Sequence, residues 1–226
     1  MPGNHMVDLQ DRLSVEDLKQ AERLRVLDEH IAAFRASPLQ AFADRPPWEL
    51  TRDAVEIVEQ LLRRLGEGYA ASAGIAVHRT TIIEEGAIVK GPAIIGPDCF
   101  IAAGAYLRGG CWLEGACVLG PGAELKSSFV FKGAKLAHFN FVGDSILGCA
   151  VNLEAGAVIA NYRNEAPAAT ISFMHKGARI ETGAGKFGAL LGDGVKIGAN
   201  AVVAPGAFIA PGTVVPRLAL LDQSET

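Results

Sequence analysis

The side chains of this chain that are able to do chemistry crowd into a short stretch. It reads Glu124-Leu125-Lys126-Ser127-Ser128 and then Lys132-Gly133-Ala134-Lys135-Leu136-Ala137-His138-Phe139-Asn140-Phe141-Val142-Gly143-Asp144. Its one histidine, His138, is the natural base, because an imidazole with an unperturbed pKa near about 6.5 takes up a proton close to neutrality. Glu124 can orient or polarise that imidazole if a turn brings the two together. Lys126 is the better candidate for holding an anion, whereas Lys132 and Lys135 read as solvated surface residues. On residue type alone the bland readings compete: a lone histidine in a polar loop is an ordinary surface residue. Asn152 and Asn161 likewise read as turn residues that tolerate positive φ.

Other chemistries find less support. The histidines His5, His30, His78, His138 and His175 include no close pair, so no metal site is expected. Cys99, Cys111, Cys117 and Cys149 have neither metal-ligand spacing nor the density of a disulfide framework. Nothing near Cys149 marks an activated thiolate. The chain has 226 residues, 50% of them hydrophobic and 20% charged, which excludes a disordered or collagen-like sequence. A net charge of −4 argues against a nucleic-acid or anionic-membrane surface, so any phosphate must be held by a few placed cations. No apolar run reaches the roughly 18 residues of a membrane span, and no signal pattern opens the chain. A soluble, cytoplasmic protein is expected.

These residues need elements to position them, and the composition changes sharply near residue 80. Met1–Met6 reads as a flexible end, with Met6 a candidate start, and the flexible region extends over 1–13. A helical appendage is expected over 14–66. Ser14 caps its first helix, Leu18, Ala21, Leu24, Leu27, Ile31 and Phe34 form one apolar stripe, and the helix ends near Ser37-Pro38. A second helix follows Pro46-Pro47, with Leu50, Ala54, Ile57, Leu61 and Leu65 on one face and Gly66 as its stop. Two such stripes pack on each other and on something larger; they are placed here over one end of the following domain.

From Ile83 a period of six takes over. Ile83, Val89, Ile95, Ile101, Leu107, Leu113, Leu119, Leu125 and Phe131 follow it without a miss, and a small residue stands four places after each of the first seven. The phase slips around Ala137–Ser145, resumes at Leu147, Leu153 and Ile159, and returns from Leu191 to Val215. A hexapeptide solenoid explains this period: three hexads make one triangular coil, the aliphatic residue points inward and the small one fits near a corner. Cys99, Cys111 and Cys117 occupy the small slot as space-fillers. The expected fold is mainly β, a parallel β-helix over 80–217 with an excursion at about 163–185 and a tail over 218–226.

In a repeat protein the breaks of the period are where function is sought. The ordered set Glu-Leu-Lys (124–126), Ala-His (137–138), Val-Gly-Asp (142–144), Val-Asn (151–152), Asn-Tyr (161–162) and Lys-Phe (186–187) carries a resemblance. It resembles the C-terminal acetyltransferase domain of the bifunctional N-acetylglucosamine-1-phosphate uridyltransferase/glucosamine-1-phosphate acetyltransferases. The longer excursion resembles archaeal sugar-1-phosphate nucleotidylyltransferases that bear the same β-helix. The resemblance spans roughly residues 80–217 and implies a left-handed winding, which spacing alone does not reveal. It implies that His138 is the catalytic base and that Arg108 and Lys126 hold a sugar phosphate. It also places Asn152 and Lys186 at the amino sugar, Asn161 and Tyr162 at the acyl-CoA, and the sites in clefts of a homotrimer.

Departures from the family pattern are as informative. Phe141 stands where the family has a tyrosine, and Ala199 where a serine often helps to bind the acyl donor. No Gly-rich nucleotidyltransferase signature occurs, so uridyl transfer is not supported. The expected activity is acetyl-CoA-dependent N-acetylation of a hexosamine 1-phosphate or related amino-sugar phosphate, with no metal required. The alternatives are acetylation of a nucleotide-linked sugar, and a non-catalytic trimeric scaffold.

Overall fold

A computed structural model describes residues 25–166 and 169–224. The expectations placed on Ser14, Leu18, Ala21 and Leu24, and on the flexible opening segment, lie outside the described residues. The chain is mainly β: a parallel β-solenoid, consistent with the left-handed winding that the resemblance implies, with a helical appendage before it.

Each coil lays one strand on each of three faces. The first face is a 7-stranded parallel sheet running from Ile82–Ile83 to Val214–Val215. The second and third faces belong to one 13-stranded sheet. They are joined where the strands Tyr106–Leu113 and Glu124–Val130 continue round their shared corner. Inside, the aliphatic residues stack coil on coil: Ile101 on Leu119 and Leu136, Leu107 on Leu125 and Val142, all fully buried. Cys99, Cys111, Cys117, Ala105 and Ala123 fill the narrow space beside them. The parallel ladder begins at Ile75–His78, whose open edge is covered by an antiparallel strand, Tyr69–Ser72. It ends at Leu220–Leu221, paired with Val202–Val203.

The phase slips at Ser127, earlier than expected: Arg108 pairs with Lys126 and Cys111 with Ser128, so Gly109-Gly110 oppose Ser127 alone. This bulge shortens the coil by one residue, so that Val130 enters the interior and Phe131 points out of it. Because both residues are apolar, the period of six runs through Phe131 without showing the loss.

The appendage does not cover an end of the solenoid, as expected, but its flank. The outward row of the third face is apolar and buried: Ile94, Trp112, Phe129, Ile146, Leu190 and Phe208. Leu27, Ile31, Phe34, Trp48, Ile57 and Leu61 of the appendage pack on that row, which accounts for their burial. The first helix also stops sooner than Ser37. Residues 25–30 are helical, and the end is set from the solenoid: the Asp193 N–H donates to the His30 carbonyl (2.9 Å) while the Asp193 carboxylate accepts from Ala32 N (2.9 Å). Ser37 instead caps the 3-10 turn Pro38–Phe42, accepting from Leu39 N at 3.2 Å. The second helix is split at Asp53 into Pro47–Arg52 and Ala54–Leu62, stopping short of Gly66.

The excursion completes the cover. It holds an antiparallel hairpin, Ser172–His175 with Ala178–Glu181, whose Lys176-Gly177 turn has positive φ at both residues. Its Phe173 ring lies 4.7 Å from that of Phe208 and 6.2 Å from that of Phe187.

The tightest join between appendage and solenoid is at the bulge. Gly110, at φ +86°, lies so close to the helix start that an added Cβ would stand 2.6 Å from Ala54 C and Val55 N. Gly110→Ala therefore adds a backbone clash to the left-handed strain and is expected to cost about 2–4 kcal/mol. Gly133→Ala, at a similar φ but with nothing within 4 Å, carries only the strain, about 1–2 kcal/mol. Urea unfolding of the two variants separates the contributions; equal losses would show that the helix yields at no cost.

Candidate functional site

The corner between the second and third faces is built by hydroxyls. In the shortened coils the small inward slot holds Ser128 and Ser145. Ser128 Oγ donates to the Lys126 carbonyl (2.7 Å) and accepts from Ser145 N (3.0 Å). Ser145 Oγ repeats this with the Gly143 carbonyl (2.7 Å) and Ala189 N (3.1 Å). Each serine thus replaces a ladder bond lost in the tightened turn, which keeps the buried backbone satisfied. Sequence reading missed both residues; their signal was a serine recurring at a spacing of 17 in a slot otherwise filled by Ala or Cys.

On the outside of this corner, Arg108 and Lys126 stand in ladder register in successive coils, roughly 5 Å apart. Both already hold carboxylates. Arg108 Nε donates to Glu124 Oε1 at 2.8 Å, and Lys126 Nζ donates to both oxygens of Asp144, at 2.9 and 2.8 Å. Asn161, one coil further on, donates from Nδ2 to the same Asp144 carboxylate. Tyr162 follows it, half exposed, with Lys186 Nζ 6.0 Å from its ring centre. Lys186 thus lies beside Tyr162, at the corner of Asn161.

His138 sits at the opposite corner of the second face, between that face and the first. It is exposed, and its ring has no hydrogen-bond partner among the described residues. Its backbone is held between coils: Gly156 N donates to the His138 carbonyl at 2.9 Å. The following residue, Phe139, is 72% exposed at φ +52°, an uncommon conformation for a bulky side chain, with its ring against Gly122. Asn140 fills the small slot below and donates to the Glu154 carbonyl at 2.7 Å. Glu124, considered as the orienter of the imidazole, is occupied by Arg108 instead.

Between the two corners lies one face, with Glu124 and Phe141 on its surface in register. Arg108, Lys126, Glu124, Phe141 and His138 are therefore brought to the same side of one chain. The rest of the width is two strand residues and a turn, on the order of 10 Å. Asn152 is not on this side. It points out of the first face, between Lys135 and Lys196 in neighbouring coils. Ala199 stands in the column of the His138 corner, where its N–H donates to Glu154 Oε2 at 2.9 Å, away from Asn161 and Tyr162. Arg217 also binds Glu154, at 2.7 Å.

No family model matches the chain. A bifunctional sugar-1-phosphate nucleotidylyltransferase/acetyltransferase of Sulfurisphaera tokodaii is 38% identical over 105 residues, 44% of this chain and 26% of that protein. The bifunctional protein GlmU of Methanococcus vannielii is 32% identical over 105 residues, 46% of this chain and 25% of its own. The protein of the same name from Methanococcus maripaludis is 39% identical over 155 residues, 66% of this chain and 37% of its own. This chain is thus homologous to sugar-1-phosphate nucleotidylyltransferase/acetyltransferases over about half its length, and it spans between a quarter and two fifths of theirs. Among solved structures, the acetyltransferase domain of PglB from Neisseria gonorrhoeae aligns over 74% of this chain and 63% of its own. It does so with a TM-score of 0.41 and 15% identity, too loosely to bear on function.

Cys111 lies inside the corner of Arg108 and Lys126, in register with Ser128, and its Sγ donates to the Arg108 carbonyl at 3.3 Å. Cys99, Cys111 and Cys117 are buried, and Cys111 is pushed up to about 11 by burial. Cys149, the one partly exposed thiol, is also pushed up to about 11, by burial and then by the Asp193 and Glu114 charges. At pH 8 it is a neutral thiol. Iodoacetamide is expected to label Cys149 about 100-fold more slowly than a free cysteine, since the thiolate is the reacting form. Rapid labelling of Cys149 in the folded protein, mapped by mass spectrometry, would contradict this.

Proposed function

We propose that the chain is a CoA-dependent N-acyltransferase that acetylates the amine of a hexosamine 1-phosphate or related amino-sugar phosphate. The reading proceeds from its homology to sugar-1-phosphate nucleotidylyltransferase/acetyltransferases. The observation that carries it is the placement of two cations and one exposed imidazole at the two edges of a single face. An amino-sugar phosphate is bipolar in the same sense, with its anion at one end and its nucleophilic amine nearby.

In this reading Arg108 and Lys126 take the phosphate, with charge-assisted hydrogen bonds that an acidic protein supplies only locally. Glu124 and Asp144 hold the two cations in place before the ligand arrives. His138 accepts a proton from the amine as its nitrogen attacks the thioester carbonyl. The tetrahedral intermediate then expels CoA as a thiolate, which recovers that proton from the imidazolium, so the base is regenerated. Phe141 offers the sugar an apolar surface between the corners. Asn161 and Tyr162, grouped at one corner, serve the acyl donor, and Lys186 beside Tyr162 serves the amino sugar.

Asn152 points away from this face within its own chain, so it reaches the sugar only from a neighbouring copy. The third face is covered by the appendage and the excursion, which leaves the first and second faces free to meet. A homotrimer joined by these two faces places Asn152 of one subunit opposite His138 of the next. Light scattering of the pure protein is expected to give three times the chain mass.

Release of CoA thiol from acetyl-CoA, followed with a panel of amino-sugar phosphates and nucleotide-linked amino sugars, tests the activity. Thiol release with at least one amino-sugar 1-phosphate is expected, and none with any acceptor would leave a scaffold. His138→Ala is expected to assemble as the wild type does and to lose about 10²–10⁴-fold in rate, as for a removed general base. Near-wild-type turnover in that variant would refute the assigned base.

A further inference from the structure

The Asp144 carboxylate is the most deeply placed charge of the candidate site, with only 7% of its side chain exposed. Ser127, Asp144 and Asn161 occupy one column at the corner in successive coils, and Lys126 and Asn161 both converge on Asp144. Both of its oxygens accept from Lys126 Nζ, and one also accepts from Asn161 Nδ2. Its backbone is tied as firmly: Asp144 N donates to the Lys126 carbonyl at 2.8 Å, and its own carbonyl accepts from Gly188 N at 2.9 Å. The neighbouring Gly143 leaves room for this arrangement, because a Cβ there would stand 2.6 Å from Asn161 Nδ2.

The fold itself asks only for a residue able to turn the corner at this place. Two donors from different coils, one of them charged, ask for more: an acceptor with two free oxygens and a negative charge. An asparagine offers a single acceptor oxygen and puts an N–H where the second donor arrives. The two donors are also those assigned to different ligands, Lys126 to the acceptor's phosphate and Asn161 to the acyl donor.

We infer that Asp144 is a positioning residue that holds the phosphate-binding lysine and the donor-side asparagine in one fixed geometry, and so sets the distance between the two substrates. This rests on the acyltransferase reading and extends it to a residue that touches neither substrate. Asp144 also neutralises Lys126 until the phosphate arrives, so its removal has two opposed effects. The lysine gains effective charge for the ground-state anion, while the alignment of the two substrates is lost. Alignment matters steeply, because small misplacements of reacting groups cost large factors in rate.

The test is Asp144→Asn, with kcat and the KM of both substrates measured in the CoA-release assay, and folding followed by circular dichroism. The expected result is a kcat lowered on the order of tenfold or more with an acceptor KM that is unchanged or lower. Adding Lys126→Ala to Asp144→Asn is expected to cost much less than the product of the separate losses, since both act through one contact. An unchanged kcat overturns the inference. So does a kcat loss accompanied by a raised acceptor KM, the signature of a generally loosened corner. If Asp144→Asn does not fold, Asp144→Glu keeps the charge and both oxygens but displaces them by one methylene, and the same kinetic split is expected of it. A wild-type protein that releases no CoA with any acceptor would overturn the acyltransferase reading and this inference together; an active wild type with an indifferent Asp144 would overturn the inference alone.

Discussion

Everything in this molecule follows from the requirement that each coil set its aliphatic side chains directly upon those of the coil before. Parallel strands in register allow no drift, since a slip of one residue would turn the inward row to solvent. Where the chain loses a residue, at the bulge of Gly109-Gly110 against Ser127, the loss must be absorbed at a corner. It is absorbed by Ser128 and Ser145, whose hydroxyls stand in for missing ladder bonds. The same tightened corner carries Lys126, Asp144 and, one coil later, Asn161. A packing constraint inside the solenoid thereby fixes where the charged groups stand outside it.

The second determinant is the asymmetry of the three faces. The third bears a continuous outward row of large apolar residues that the helices and the hairpin bury. Gly110 lets the helix backbone approach the solenoid, and Asp193 binds both sides of the first helix's end. The first and second faces keep exposed apolar residues, among them Ile82, Ile88, Val214 and Leu220. They are the faces that carry Asn152 on one side and Arg108, Lys126 and His138 on the other.

Much of this could be read in the sequence, and the failures have physical causes. The period of six identified the solenoid and its inward aliphatics, because burial in a stacked core leaves no choice at those positions. It misplaced Phe131, since Val130 and Phe131 are both apolar and the single-residue loss at Ser127 leaves the pattern intact. It put the first helix's end at Ser37-Pro38, a local signal, whereas the actual end is set by Asp193, over 150 residues away. Which side of the solenoid the appendage covers was equally hidden, because an apolar stripe states that it must be covered and not by what. The candidate residues were found from their order along the chain. Their partners were not: the pairing of Glu124 with Arg108 depends on a side-chain choice across coils, and the convergence of Lys126 and Asn161 on Asp144 depends on the corner geometry.

The proposed site depends on two copies meeting, the second face of one against the first face of the next. This is tested most directly by mixing two inactive variants, His138→Ala and Asn152→Trp, after unfolding them together and refolding. Each pure variant lacks a working site: the first has no base, and the second blocks its neighbour's face. In a mixed assembly, an Asn152→Trp subunit that presents its intact His138 to a His138→Ala subunit forms a complete site. Random assortment of equal amounts is expected to restore roughly a quarter of wild-type CoA release. Activity no greater than the mean of the two pure variants, in assemblies that have demonstrably mixed, would contradict a site built between subunits.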